Sequence, residues 1–188
     1  SCTTIQCHAT GREHVSLNAM DSGRRAFLTG TFVTREGRAE EVSRQQALGP
    51  VPPWHQGVDL GRHCPDCAHP CVAACDPGII KLHPENHQLA GLPHLDFSVS
   101  GCTFCKACVG ACPLDVDPDG SRPAIGKAYL NRQTCIAWND VICMACSGRC
   151  DYGAIKTVYQ RRAEVDAQAC TGCGMCVSAC PVQALSIV

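Results

Sequence analysis

Sixteen of the chain's eighteen cysteines fall into four quartets, and their spacing leaves little freedom in what the polypeptide can fold around. The quartets are Cys64, Cys67, Cys71 and Cys75; Cys102, Cys105, Cys108 and Cys112; Cys135, Cys143, Cys146 and Cys150; and Cys170, Cys173, Cys176 and Cys180. The second and fourth read C-x2-C-x2-C-x3-C and are followed by Pro113 and Pro181. Three thiolates two residues apart can face one inorganic centre, while the fourth begins a helical turn and points to a neighbouring centre. Small residues between them, Ala107, Gly110, Ala111, Gly172, Gly174 and Ala179, let the backbone approach closely and aim N–H groups at sulfur.

That run is the one by which bacterial ferredoxins hold [4Fe-4S] clusters. Quartet one departs from it by placing Ala68, His69 and Pro70 between its second and third cysteines, so its loop must bulge. Quartet three stretches its first interval to seven residues, 136–142, and brings Trp138 beside the cluster. Both keep the final C-x3-C, so the ligand that crosses to a partner cluster survives. The reading is three to four [4Fe-4S] clusters held by these sixteen cysteines, with quartet one the least regular.

A chain rich in cysteine could instead be a disulfide scaffold or a zinc protein. Disulfide-rich secreted chains carry a signal peptide, and no apolar run of that kind opens this sequence. Reduced thiolates awaiting iron belong in the cytoplasm, and no stretch is apolar and long enough to span a membrane. Zinc sites join two C-x2-C pairs across a longer loop, whereas quartets one, two and four crowd three ligands together. Charge is nearly balanced, 16 Lys and Arg against 17 Asp and Glu, with no basic stripe interleaved with aromatics, which speaks against nucleic acid. Four loaded clusters would carry the net charge to about −9 and favour basic docking faces. The hydrophobic fraction of 45% includes cysteine and aromatics are only 5%, so metal must stand in for part of a core.

The expected fold class is α+β: two dicluster ferredoxin-like modules in tandem, 62–120 and 121–188, built of short hairpins and one-turn helices. Strand-like runs are Ile79 to Leu82, Leu95 to Phe97, Ala154 to Val158, Glu164 to Asp166 and Ala184 to Val188. By the crossing rule the clusters would use Cys64, Cys67, Cys71 and Cys112; Cys102, Cys105, Cys108 and Cys75; Cys135, Cys143, Cys146 and Cys180; and Cys170, Cys173, Cys176 and Cys150. Pairing of quartet one with four and two with three is the alternative. Residues 1–19 read as a disordered upstream extension, with Met20 the expected native start. Residues 20–61 read as a lead segment with a helix from Asp21 and Ser22 to Gly30, a second helical stretch over Thr34 to Gln46, and an extended proline linker at 49–54 whose Trp54 packs on the first module.

The sequence Ser22-Gly23-Arg24-Arg25-Ala26-Phe27-Leu28-Thr29-Gly30, the Pro52-Pro53-Trp54 motif and the C-x7-C-x2-C-x3-C of quartet three resemble the NapF family of ferredoxin-type proteins. The similarity covers residues 20–188, and quartet one's added residue is where the chain departs. The resemblance implies a cytoplasmic iron-sulfur protein, not itself an enzyme. Its implied role is electron transfer or help in maturing the molybdenum-containing catalytic subunit of the periplasmic nitrate reductase before export. Arg24 and Arg25 also resemble a twin-arginine export signal, but charge returns at Arg35, Glu36 and Arg38, so a basic patch that docks the partner is the reading preferred here.

Cys2 and Cys7-His8 are spaced too widely for c-type haem attachment. His63 and His69 flank quartet one and could tune its cluster or replace a ligand, whereas His55, His83, His87 and His94 read as surface residues. Trp138 reads as a shield against water. An enzyme would need a substrate pocket and cofactor fold, and no nucleotide-binding glycine fingerprint occurs. A scaffold or chaperone merely held folded by its clusters, or an electron-transfer subunit of another oxidoreductase complex, are the remaining alternatives.

Overall fold

Left-handed backbone turns recur at the same places in the cysteine loops. His69, Lys106 and Gly174, each two residues before a quartet's third cysteine, have φ of 53°, 64° and 78°. Each opens a one-turn helix: α2, Pro70–Ala73; α3, Ala107–Gly110; and α4, Met175–Ser178. A preceding helix, α1, spans Leu60–His63 and is capped by the Asp59 carboxylate, which accepts from the Arg62 N–H. Pro70 at the first helical turn of α2 forfeits only an N–H that would lack a partner there. Quartet three ends in a 3-10 turn, Ser147–Arg149, in place of an α-helix.

The computed structural model describes residues 39, 42, 45–114, 116, 123–159 and 161–188. The twin arginines Arg24 and Arg25, the helix expected up to Gly30 and the 1–19 extension lie outside the described residues. Ala39 and Val42 are helical and exposed. Residues 44–188 form a compact unit of short helices and strands.

Three antiparallel strand pairs frame the loops. β1, Ile80–Leu82, pairs with β2, Pro93–Leu95, and joins quartet one to quartet two. β3, Ala128–Leu130, pairs with β6, Leu185–Ile187. β4, Ile155–Val158, pairs with β5, Arg162–Val165, between quartets three and four. The core is thin: Ile79, Ile80, Leu95, Phe97, Phe104 and Ile125 pack with Cys71 and Cys108, and smaller clusters gather Ala128, Ile155 and Leu185 about Cys146 and Cys176, and Ala137 and Ala184 about Cys135. Cysteine is part of every cluster.

Four expectations change. The second strand lies two residues earlier than expected, because the Asp96 carboxylate takes the Ser98 N–H at 2.9 Å and turns the chain there. β3 was not anticipated, since its Ala-Tyr-Leu run is too short to show alternation. The 49–54 stretch is not an open spacer, since Pro52 and Pro53 are fully buried; Trp54 does pack as expected, edge-on to Phe104 with ring centroids 6.0 Å apart. His55, His83, His87 and His94 are not surface residues but buried, at 4%, 5%, 7% and 6% exposure. Backbone groups satisfy most of these rings, which is why burial is tolerated. His83 lies between the Leu48 N–H at 3.2 Å and the Leu92 carbonyl at 2.8 Å, and His87 between the Gln46 carbonyl at 2.9 Å and the Leu89 N–H at 3.0 Å.

Candidate functional site

The sixteen cysteines are all unpaired thiols, and they line four separate cavities, four to each. Site A gathers Cys64, Cys67, Cys71 and Cys112. Site B gathers Cys75, Cys102, Cys105 and Cys108. Site C gathers Cys150, Cys170, Cys173 and Cys176, and site D Cys135, Cys143, Cys146 and Cys180. Each cavity thus takes three cysteines from one quartet and the last cysteine of another. The exchange runs through the one-turn elements, since Cys71, Cys108 and Cys176 lie in the first turn of α2, α3 and α4 and Cys75, Cys112 and Cys180 follow just after their ends. One turn of helix aims the two ends of a C-x3-C at different cavities.

Three of the cavities are small and alike, about 10 Å³ at C, 20 Å³ at B and 10 Å³ at D. Site A is wider, about 420 Å³, and adds His63, His69 and Asp66 to its wall. The Ala68-His69-Pro70 bulge opens it. The His69 ring nitrogen Nε2 is engaged with the Gly91 carbonyl at 2.8 Å, while its backbone N–H reaches Cys67 Sγ at 3.4 Å. Sulfur receives backbone N–H groups at the other sites as well: Phe104 to Cys102, Ala128 to Cys170 and Ala184 to Cys180, at 3.4, 3.3 and 3.2 Å.

The donor chemistry fits a multi-iron cube. Burial, reinforced by neighbouring thiols, pushes Cys176 up to about 12, and Cys108 up to about 11. Cys102 also rises to about 11, mainly through burial, against the pull of the Phe104 N–H. Cys64, Cys71 and Cys146 are raised too, burial being the main cause. Four thiolates cannot gather in such a cavity without a cationic core between them. No three His, Cys, Asp or Glu side chains among the described residues are placed to hold a single ion, so the sulfurs surround a volume instead of a point. Two buried donors at the cysteine cavities have no partner among the described residues: the Trp54 indole Nε1, on the wall of B, and the Thr171 hydroxyl, on the wall of C. Inorganic sulfide is an acceptor that the polypeptide alone does not supply to such donors.

Trp138, by contrast, donates its Nε1 to the Ala163 carbonyl at 2.9 Å and packs beside Cys135, Cys143 and Cys180. Arg132 and Arg162 lie over its ring at 4.1 and 5.0 Å from the centroid. The sequence pointed to Trp138 but not to the roles of Trp54 Nε1 and Thr171. Only burial distinguishes those atoms.

Sites B and C meet where the loops of quartets two and four touch. The Cys102 N–H donates to the Cys173 carbonyl at 2.7 Å, and the Ile125 N–H donates to the Thr171 carbonyl at 2.9 Å. A Cβ on the buried Gly101 would fall 2.5 Å from the Met175 nitrogen, so glycine is needed for this approach. Sites A and B share α2 and α3, and C and D share α4 and the 3-10 turn. The four cavities therefore follow one another in the order A, B, C, D.

No helix among the described residues is long and apolar enough to cross a membrane. The model of the 4Fe-4S dicluster domain matches residues 63–116, and that of the 4Fe-4S binding domain matches residues 163–186. The ferredoxin-type protein NapF of Escherichia coli K12 is 29% identical over 174 residues, which cover 89% of this chain and 94% of the relative. That of Haemophilus influenzae is 31% identical over 171 residues, covering 87% and 92%. With cysteine cavities of this chemistry and likeness along nearly its whole length, the chain is an iron-sulfur protein of multiple [4Fe-4S] clusters and belongs to the NapF family of ferredoxin-type proteins.

Proposed function

We propose that this protein is a one-electron carrier in which four [4Fe-4S] clusters, one at each of sites A to D, form a row across two tandem dicluster modules, 62–120 and 121–188. The sixteen cysteines are the ligands, in the crossed sets that line the cavities. When bound, such clusters supply reversible one-electron transfer without bond making or proton transfer. The observation that carries the reading is the hydrogen bond from Cys102 to Cys173, which joins a ligand residue of B directly to one of C. It supplies a covalent and hydrogen-bonded route between modules that would otherwise be two isolated pairs. The protein's part is to hold these loops together and to surround each centre with N–H donors.

The partner in this reading is the cytoplasmic precursor of the molybdenum-containing periplasmic nitrate reductase catalytic subunit, supported by the family resemblance. Electrons from the row would serve its maturation before export, with Arg24 and Arg25 as the docking patch. Iron and labile-sulfide counting on anaerobically purified protein tests the cofactor content: about sixteen of each per chain are expected, and a colourless or zinc-loaded protein overturns the proposal. Cys112→Ser should disturb the cluster at A and leave B intact, although Cys112 belongs to quartet two; loss at B instead would refute the crossed ligand sets. Reversing both arginines should weaken capture of the catalytic subunit precursor, and unchanged capture would discard that docking role.

A further inference from the structure

At A and D the polar side chains that are not solvent-exposed are already engaged, while His63 and Asp66 at A are exposed. The imidazoles of His55 and His69 meet the Pro53 and Gly91 carbonyls at 3.2 and 2.8 Å, and the Trp138 indole meets the Ala163 carbonyl. The two inner sites differ. At B the Trp54 Nε1–H is buried without an acceptor among the described residues, and at C the Thr171 hydroxyl is in the same position. Leaving such a donor unsatisfied costs about 1–3 kcal/mol, so each requires an acceptor that the polypeptide does not provide.

Trp54 is held in place with unusual firmness. Its backbone is in the left-handed region at φ 66°, its ring stands edge-on to Phe104, and Pro52 and Pro53 before it are fully buried. A left-handed φ is unfavourable for a bulky aromatic residue, and it persists only where its surroundings over-determine it. The residue so held lines site B together with Cys75, Cys102, Cys105 and Cys108. Thr171 lies directly after the ligand residue Cys170, and its own carbonyl accepts from Ile125, so its backbone is anchored in the wall of C while its buried hydroxyl has no partner among the described residues.

We propose that Trp54 and Thr171 donate hydrogen bonds to the sulfur of the clusters at B and C, and so raise the reduction potentials of the two inner centres. The inference rests on the cluster reading above and goes beyond it by assigning two residues that are not ligands, Trp54 outside the cysteine quartets and Thr171 between two ligands of quartet four. The physical ground is electrostatic. Reduction adds one electron, and hence negative charge, to the cluster and its sulfurs, so a donor aimed at sulfur favours the reduced form more than the oxidised one. The residues act by tuning a centre and are positioning residues, not ligands.

The test is a dithionite titration of the anaerobic holoprotein, monitored by paramagnetic resonance, for wild type, Trp54→Phe, Thr171→Val and Thr171→Ser. Trp54→Phe keeps the edge-on ring and removes only the donor; one midpoint should move down while the other three stay in place. Thr171→Val should lower a different midpoint, and Thr171→Ser should restore it. Iron and sulfide counts on each variant separate this question from the cluster reading: a full complement with unmoved midpoints overturns the tuning role alone, whereas iron-free wild type overturns the clusters. Should a variant lose iron, 15N-indole tryptophan labelling decides the Trp54 assignment, with labelled wild type compared with labelled Trp138→Phe, in which Trp54 is the one tryptophan left. A nitrogen hyperfine coupling to a reduced cluster is expected from Trp54, and its absence refutes the assignment.

Discussion

Replacing Gly174 by alanine should do far more harm than a methyl group ordinarily does. Gly174 has φ +78° and lies between the site C residues Cys173 and Cys176, and a Cβ built there overlaps the ring of the buried Phe97. The left-handed backbone costs an alanine roughly 1–2 kcal/mol, and forcing the methyl against a packed ring adds about 1–3 kcal/mol. The expected loss is therefore about 2–5 kcal/mol, a large share of the ~5–15 kcal/mol that keeps a domain folded. Phe97 precedes quartet two and Gly174 lies within quartet four, so the strain falls on the contact between their loops, which keeps B next to C. Gly110→Ala is the matched control: it ends α3, and a Cβ there meets nothing within 4 Å. A helical glycine replaced by alanine gains about 0.5–1 kcal/mol. Guanidinium unfolding of anaerobic holoprotein, followed by the visible absorbance of the clusters, should move the Gly174→Ala midpoint down by on the order of 1 M and leave Gly110→Ala at or above wild type. Equal midpoints for the two variants would refute the claim that close packing between the loops holds the modules together.

Stripping the clusters with a chelator should leave the chain largely disordered from residue 62 onward, because cysteines contribute to every part of the core; an unchanged circular dichroism spectrum would contradict this. Burial and the neighbouring His83, 4.4 Å away between ring centroids, hold His94 below the ordinary imidazole value of 6.5, with His87 adding to this and Asp96 opposing it. The folded state therefore binds this proton less readily than the unfolded chain, so the stabilisation is complete above pH 6.5 and is lost as pH falls below it. Thermal midpoints of wild type and His94→Gln should converge on acidification, and parallel pH profiles would exclude His94 as the cause.

How much of this was legible in the chain depended on whether a signal was local. The cysteine intervals are local, and so are the one-turn helices that follow from C-x3-C and the hairpins at 80–95 and 155–165. β3 escaped notice because three residues, Ala128 to Leu130, become a strand only by pairing with Leu185 to Ile187 almost sixty positions away. The histidines were misjudged for a related reason: an imidazole is read as exposed until its partners are known, and those of His83 and His87 include Leu48 and Gln46, 35 and 41 residues distant. The proline stretch likewise looked like a spacer because nothing in Pro52-Pro53-Trp54 says that it will be covered.

Cysteine spacing by itself determined which chemistry the polypeptide could support and the size of its repeating loop, since the first three thiolates of a quartet face one centre and the helical turn of C-x3-C sends the fourth to another. The tertiary structure alone decided the order of the four cavities, the contact of Cys102 with Cys173, and the burial of Trp54 Nε1 and the Thr171 hydroxyl without partners. Adjacency between loops and the exclusion of water depend on residues far apart along the backbone, and both arise only when the chain has closed on itself.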